Sequence, residues 1–252
     1  MSALVRAELL KLRTVRLPLS LLLVTLALVT LSVCATVLTA GARGGPLRAD
    51  DPDLFRIAVS SASAGTTILL VLGILVLTQE YRFGTATPSF LVTPRRGQVL
   101  AAKLLAVAVV GLLFAVVSAL YAAALAAAVM RLKGFEVVAG RDVVETLAAC
   151  VLVVVLYGPI GIAVGALVRN QVAAIVGALA YLFVVEQLLV ALLPDVGRWL
   201  PGGANAAVLR LGDLATTRGD LLPPAGGALL LVAYALGLSA LAARLTLRRD
   251  LL

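Results

Sequence analysis

No histidine occurs anywhere in the 252 residues. That absence removes His-ligated zinc hydrolases, Ser-His-Asp triads and histidine proton relays, so an intramembrane hydrolase has little to be built from. Cysteine is nearly missing as well. Cys34 and Cys150 both lie inside apolar runs and read as small buried side chains, not as a disulfide or a metal site. No G-x-x-x-x-G-K-[ST] phosphate loop is present and no Gly is followed by Lys, so nothing in the chain can hydrolyse ATP. Charged residues make up only 13%, and acids are scarcer than bases, 13 Asp and Glu against 21 Lys and Arg for a net charge of +8. Such a surplus can signal nucleic acid, but these basic residues cluster beside apolar runs instead of forming a soluble basic face, which argues against nucleic-acid binding.

What fills the chain is hydrocarbon: 62% of residues are hydrophobic, and the mean hydropathy is +1.11. That is far above a soluble domain of this length and predicts an integral, all-α membrane protein. The predominance of Ala, Leu, Val, Gly and Arg over Lys fits a GC-rich bacterial genome. Six apolar runs are long enough to span: Leu17 to Ala40, Phe55 to Thr78, Val99 to Met130, Val143 to Val168, Val172 to Leu193 and Ala225 to Leu245. The first follows Arg6, Lys11, Arg13 and Arg16 and exceeds the ~7 to 15 residues of a signal-peptide core, so it reads as a retained span. An even number of spans places both termini on one side. With that side cytoplasmic, the inner segments hold Arg6, Lys11, Arg13, Arg16, Arg82, Arg95, Arg96, Lys103, Arg169, Arg244, Arg248 and Arg249 against only Glu8, Glu80 and Asp250. The outer loops mix their bases with acids, so the positive-inside rule favours cytoplasmic termini in the cell membrane.

Ala3 to Arg16 predicts a helix at the membrane surface, although its wheel is impure: Leu4, Val5, Leu12 and Val15 share one arc, and Glu8 falls among them. An ordinary basic stub is the other reading. In the fourth span Pro159 invites a kink, and Gly161 with Gly165 permits close helix contact. The fifth span carries a seam of Ala173, Gly177 and Ala180, with Gln187 on the same side, suited to another helix or a second subunit. Glu186 is the only acidic residue well inside a span, roughly 12 Å below the outer helix end. Either its carboxyl is held neutral, bonded to a neighbouring helix, or it is a carboxylate facing a wet outer vestibule on the substrate pathway, which is the role expected here. Residues 194–224 form a long outer loop with Trp199 suited to the headgroup region.

The one long polar insert with internal order is Q-E-Y-R-F-G-T-A-T-P-S-F-L-V-T-P-R-R-G-Q-V-L-A-A-K, ending at Lys103. A carboxylate at a helix C-terminus is opposed by the dipole, so Glu80 needs a cation, for which Arg82, Arg95, Arg96 and Lys103 are candidates. Gly84 permits a sharp turn, Thr85 can cap a short helix through Phe90 or Leu91, and Thr93-Pro94 reads as N-cap and N1 of the next helix. A plain charged anchoring loop is the alternative.

In its order of Glu80, Tyr81, Arg82, Gly84, Thr85, Pro94, Arg96 and Lys103 the insert resembles the loop between the second and third membrane helices of ABC-2 type transporter permeases. E-L-L-K-L-R-T-V-R at the start and the E-Q-L-L…L-P-D…L-P-G-G region extend the likeness more loosely. The resemblance implies an ABC-2 type exporter fold, with residues 1–16 as an elbow helix, 79–98 as a cytoplasmic coupling loop that docks on an ATPase, and Ala204 to Leu211 folding back as a re-entrant helix. It also implies a permease of six helices, with no cofactor of its own, pairing with a second permease, most simply itself. Two cytoplasmic ABC ATPase subunits would bind ATP and Mg. Substrate, a drug, antibiotic, lipid or peptide, would move outward. The rivals are a secondary carrier driven by an ion gradient, for which no inverted repeat is found, and a scaffold without transport.

Overall fold

Apolar runs without charge can satisfy their backbone in a bilayer only as helices, and the computed structural model forms them where the runs fall. It describes residues 2–41, 47–48, 50–83, 96–211 and 221–248. Six helices are long and apolar enough to cross a membrane: Leu17–Thr39, Leu54–Arg82, Gly97–Leu132, Arg141–Val168, Gln171–Leu192 and Pro224–Arg244. No strand occurs among the described residues. An N-terminal helix, Ser2–Thr14, precedes the first span. The second span is longer than expected because it opens at Leu54 and continues past Thr78 to Arg82, with a tight turn over Ser61–Ala64 where the sequence is all Ser and Ala. Glu80 thus lies in the last helical turn. Thr85 to Leu91, the expected short helix, lies outside the described residues with Gly84, Thr93 and Pro94. Arg96 is the first residue of the third span's helix, and only its backbone is described.

The second and fourth spans form the centre. In lipid the hydrophobic effect does not drive helices together, so association rests on close packing of small residues. Gly73 faces the Gly158 carbonyl, Gly161 faces the Leu70 backbone, and Gly165 faces the Ile74 backbone, so at Gly73 and Gly161 a side chain would overlap the opposing main chain. The Gly161/Gly165 pair therefore does the packing its spacing promised, while the fourth helix continues through Pro159. The first span lies against this centre along Thr25, Val29, Val33 and Val37, one face at four-residue spacing, and turns Leu19, Leu23 and Leu31 outward.

The fifth span is the outlier: only 6% of its apolar window is buried. It starts after a turn of two residues. Arg169, in the left-handed region at φ 56°, ends the fourth span with its N–H on the Gly165 carbonyl. Asn170 then caps the fifth by accepting the Ala173 N–H at 3.0 Å. Midway, Tyr181–Val185 widens into a π-turn. Each residue of a wider turn advances the helix by less than the ~100° of an α-helix. Glu186, which an unbroken wheel sets with Ile175, Leu179 and Leu182, is thereby carried toward the buried face that holds Ala174. Beyond Leu193 the chain folds into two short helices, Pro194–Gly197 and Pro201–Val208. The second buries Ala204 and Val208 among Leu70, Tyr157 and Leu231 of three spans. This helix overlaps Ala204 to Leu211, the piece for which the resemblance implies a helix, but begins at Pro201 and ends at Val208.

Candidate functional site

At the amino-terminal end of the bundle three elements converge on Lys103. It lies about 10 Å along the third span's helix from Arg96, and its ammonium finds its partners on neighbouring elements. It is 2% exposed and donates to Glu80 Oε1 at 2.6 Å and to Glu8 Oε2 at 2.8 Å. Lys11, four-square across from it, donates to Glu8 Oε1 at 2.8 Å and approaches Glu80 Oε1 at 3.3 Å. Two acids and two bases alternate around a neutral ring that ties the N-terminal helix, the end of the second span and the start of the third. A cleft of 480 Å³ with apolar walls from Leu12, Val76 and Phe83 opens beside it.

The ring answers which cation Glu80 takes: Lys103, with Lys11, among the described residues. It also explains the impure wheel. Glu8 interrupts the apolar arc because that face meets a buried ammonium, and it is the buried residue of its helix. The roles of Glu8 and Lys11 escaped the sequence reading; a carboxylate within an apolar arc, three residues from a lysine, was the available signal.

Burial alone would raise the Glu8 carboxyl, but the charges and hydrogen bonds of Lys103 and Lys11 outweigh it and hold the group below its ordinary 4.5. Burial likewise pulls Lys11 down, and Glu8 and Glu80 outweigh that, holding it above its ordinary 10.5. A depressed acid contributes stability that is full above its unfolded value and is lost as pH falls through the folded one. A raised base contributes stability that is full below its unfolded value and is lost as pH rises through the folded one. Docking of the N-terminal helix is therefore expected to hold through neutral pH and to loosen on acidification below 4.5, the ordinary Glu8 value. Amide exchange of residues 2–14 checks this; helix release that begins near neutral pH would contradict it.

Arg82 is not part of the ring. Its Nη1 reaches Gln171 Oε1 at 3.5 Å, on the other side of the second span. Arg169 lies nearby, its guanidinium 5.7 Å from the Tyr81 ring centroid.

Toward the opposite end Glu186 is 1% exposed and accepts the Gly202 N–H. Gly202 leaves the carboxyl close to the backbone, since a Cβ there would lie 3.0 Å from the carboxyl carbon and the Glu186 side chain would have to shift. Tyr157, Tyr181 and Tyr234 are its electrostatic neighbours. The group is enclosed and bonded to the Pro201–Val208 helix, which matches the hydrogen-bonded reading and not an open vestibule: the π-turn rotates it inward. Ala173, Gly177 and Ala180 are exposed on the outer side of the bundle, and a Cβ on Gly177 would meet nothing within 4 Å. A separate brace lies at the N-terminal end of the fourth span, where Glu145 bonds Arg141 at 3.0 Å and Arg210 at 2.9 Å.

The chain matches a family model described as "ABC-2 family transporter protein" over residues 4–185, which takes in the N-terminal helix, the ionic ring and the fifth span as far as the π-turn. No curated protein matches the chain.

Proposed function

The chain belongs to the ABC-2 transporter family, an ABC transporter permease by that membership, and from that premise we propose that it exports a small molecule using ATP hydrolysed by a separate subunit. Two copies form the pathway and two ABC ATPase subunits bind their cytoplasmic face, on the side of both termini. The observation that carries the coupling role is the Glu8–Lys103–Glu80–Lys11 ring. Glu80 and Lys103 stand at the two roots of the polar insert that includes Gly84, Thr85, Pro94 and Arg96. Locking both roots to the N-terminal helix lets a push on the insert move the second and third spans as one body. The fifth span, largely unburied within one copy, is the surface left for the second, with Ala173, Gly177 and Ala180 in the seam.

Co-expression with a neighbouring ABC ATPase tests the reading. Copurification of the two with vanadate-sensitive ATP hydrolysis supports it, whereas transport by this chain alone, driven by an ion gradient, refutes it. Glu186 is assigned to the substrate pathway as the acid uncovered when the Pro201–Val208 helix moves off the fifth span. Glu186→Gln keeps an acceptor for Gly202 and removes the charge, so export of cationic substrates is expected to fall more than that of neutral ones. Equal effects on both would leave Glu186 as a structural latch.

A further inference from the structure

The cleft beside the ionic ring changes character along its length. Lys11, Gln79 and Glu80 line its polar end, and its walls continue onto Leu12 of the N-terminal helix, Leu17 and Pro18 at the start of the first span, and Val76. Val76 lies one helical turn before Glu80, about 6 Å toward the middle of the second span, so the wall turns apolar in the direction of the bilayer core. We propose that this 480 Å³ cleft binds the headgroup and first methylenes of a zwitterionic phospholipid bearing a primary amine, with its ammonium on Glu80 and its phosphate on Lys11.

Charge selects the head. Two acids and two bases already balance in the ring, so a headgroup of zero net charge adds no imbalance, whereas an anionic lipid brings an uncompensated charge beside Glu80. Both oxygens of Glu8 are taken, one by each lysine. Glu80 differs: Lys103 and Lys11 both donate to its Oε1, at 2.6 and 3.3 Å, which leaves Oε2 as the acceptor the ring does not use. Lys11 places two of its three N–H donors on Glu8 and Glu80 and keeps one. Its side chain is 54% exposed where that of Lys103 is 2%, so Lys11 is the base that an outside phosphate can reach. A primary ammonium has N–H groups to give Glu80; a trimethylated one has none.

Shape selects a lipid over a soluble zwitterion. Val15 and Phe83, which also line the cleft, are 53% and 67% exposed. That is apolar surface an acyl chain takes out of water and a soluble molecule leaves wet. The cleft draws only on the N-terminal helix and the first three spans, so the fifth-span seam assigned to a second copy takes no part in it.

The experiment is native mass spectrometry of the purified chain in neutral detergent, titrated with phosphatidylethanolamine, phosphatidylcholine and phosphatidylglycerol of the same acyl chains, with soluble glycerophosphoethanolamine as competitor. Phosphatidylethanolamine is expected to bind about ten-fold more tightly than phosphatidylcholine, the worth of a hydrogen bond to a charged group, and more tightly than phosphatidylglycerol. Glu80→Gln removes the charge that the ammonium meets and leaves the ring at a surplus of one base, so the preference is expected to pass to phosphatidylglycerol. Lys11→Gln, at a half-exposed position, is expected to weaken phosphatidylethanolamine and phosphatidylcholine alike, roughly five-fold for one lysine near a membrane surface, with the preference between them kept. Equal binding of those two lipids by the unaltered chain, or a preference for phosphatidylglycerol, overturns the proposal with no variant needed. Phosphatidylethanolamine binding unchanged in Lys11→Gln, or its preference unchanged in Glu80→Gln, places the lipid elsewhere and overturns it. Displacement of the lipid by glycerophosphoethanolamine at equal concentration makes this a site for a soluble zwitterion and overturns it too.

Discussion

Replacing Glu80 with alanine is expected to abolish ATP-coupled export while the protein still accumulates in the membrane. Glu80 holds the shortest contact of the ring, 2.6 Å to a lysine that is 2% exposed. Without it one carboxylate, Glu8, faces two ammonium groups. Breaking one side of a buried pair costs about 3–5 kcal/mol, against 0–1 kcal/mol for an exposed one. The loss falls on the junction between the second span and the polar insert, whereas the glycine-packed centre of the bundle is untouched, which is why insertion survives and coupling does not. Lys103→Ala is expected to be worse, because it leaves two carboxylates with only the half-exposed Lys11. Removing Glu80 and Lys103 together deletes one charge of each sign, and a double-mutant cycle should show the pair less damaging than the sum of the singles. ATP hydrolysis and export are measured on the assembled transporter. Normal export by Glu80→Ala would remove the ring from the coupling path.

The spans were legible because each is written in consecutive residues, as an apolar run of sufficient length. That Glu80 takes a cation was also legible, since a carboxylate at a helix end demands one, but the choice of Lys103 over Arg82, Arg95 and Arg96 was not. Glu8 was visible only as a fault in a wheel. Its partner is 95 residues away, and periodicity carries no information about what an odd residue meets across such a gap. Arg82 was read with Glu80 because they are neighbours in sequence, yet residues two apart on a helix do not face each other. One turns to the ring and the other to Gln171. Glu186 was misplaced for a different reason. Its face was computed at a constant angle per residue, and the π-turn at Tyr181–Val185, which no composition rule marks, changes that angle just before it. The resulting enclosure beside Gly202 depends on a tertiary contact with a segment the sequence could describe only as a long loop.

Gly161→Leu is expected to prevent the folded protein from accumulating at all. A Cβ at this position would overlap the Leu70 carbonyl oxygen and crowd its Cα, and Gly73 meets the Gly158 carbonyl in the same way from the opposing span. Those neighbours are main chain in the middle of helices, so they cannot rotate aside as a side chain would. Overpacking already costs about 1–3 kcal/mol where side chains can adjust, and this contact has no such outlet. Nor does the bilayer compensate, since separated spans find lipid as apolar as each other and only close packing holds them together. Yield of membrane-inserted, protease-resistant protein reads the outcome, and Gly237→Leu is the matched control because its Cβ meets open space. The same substitution at two glycines in the same membrane should then separate: the fourth-span variant lost, the sixth-span variant retained. Equal recovery of the two would mean that the second and fourth spans do not meet backbone to backbone, and the centre of the fold would have to be rebuilt around a different pair.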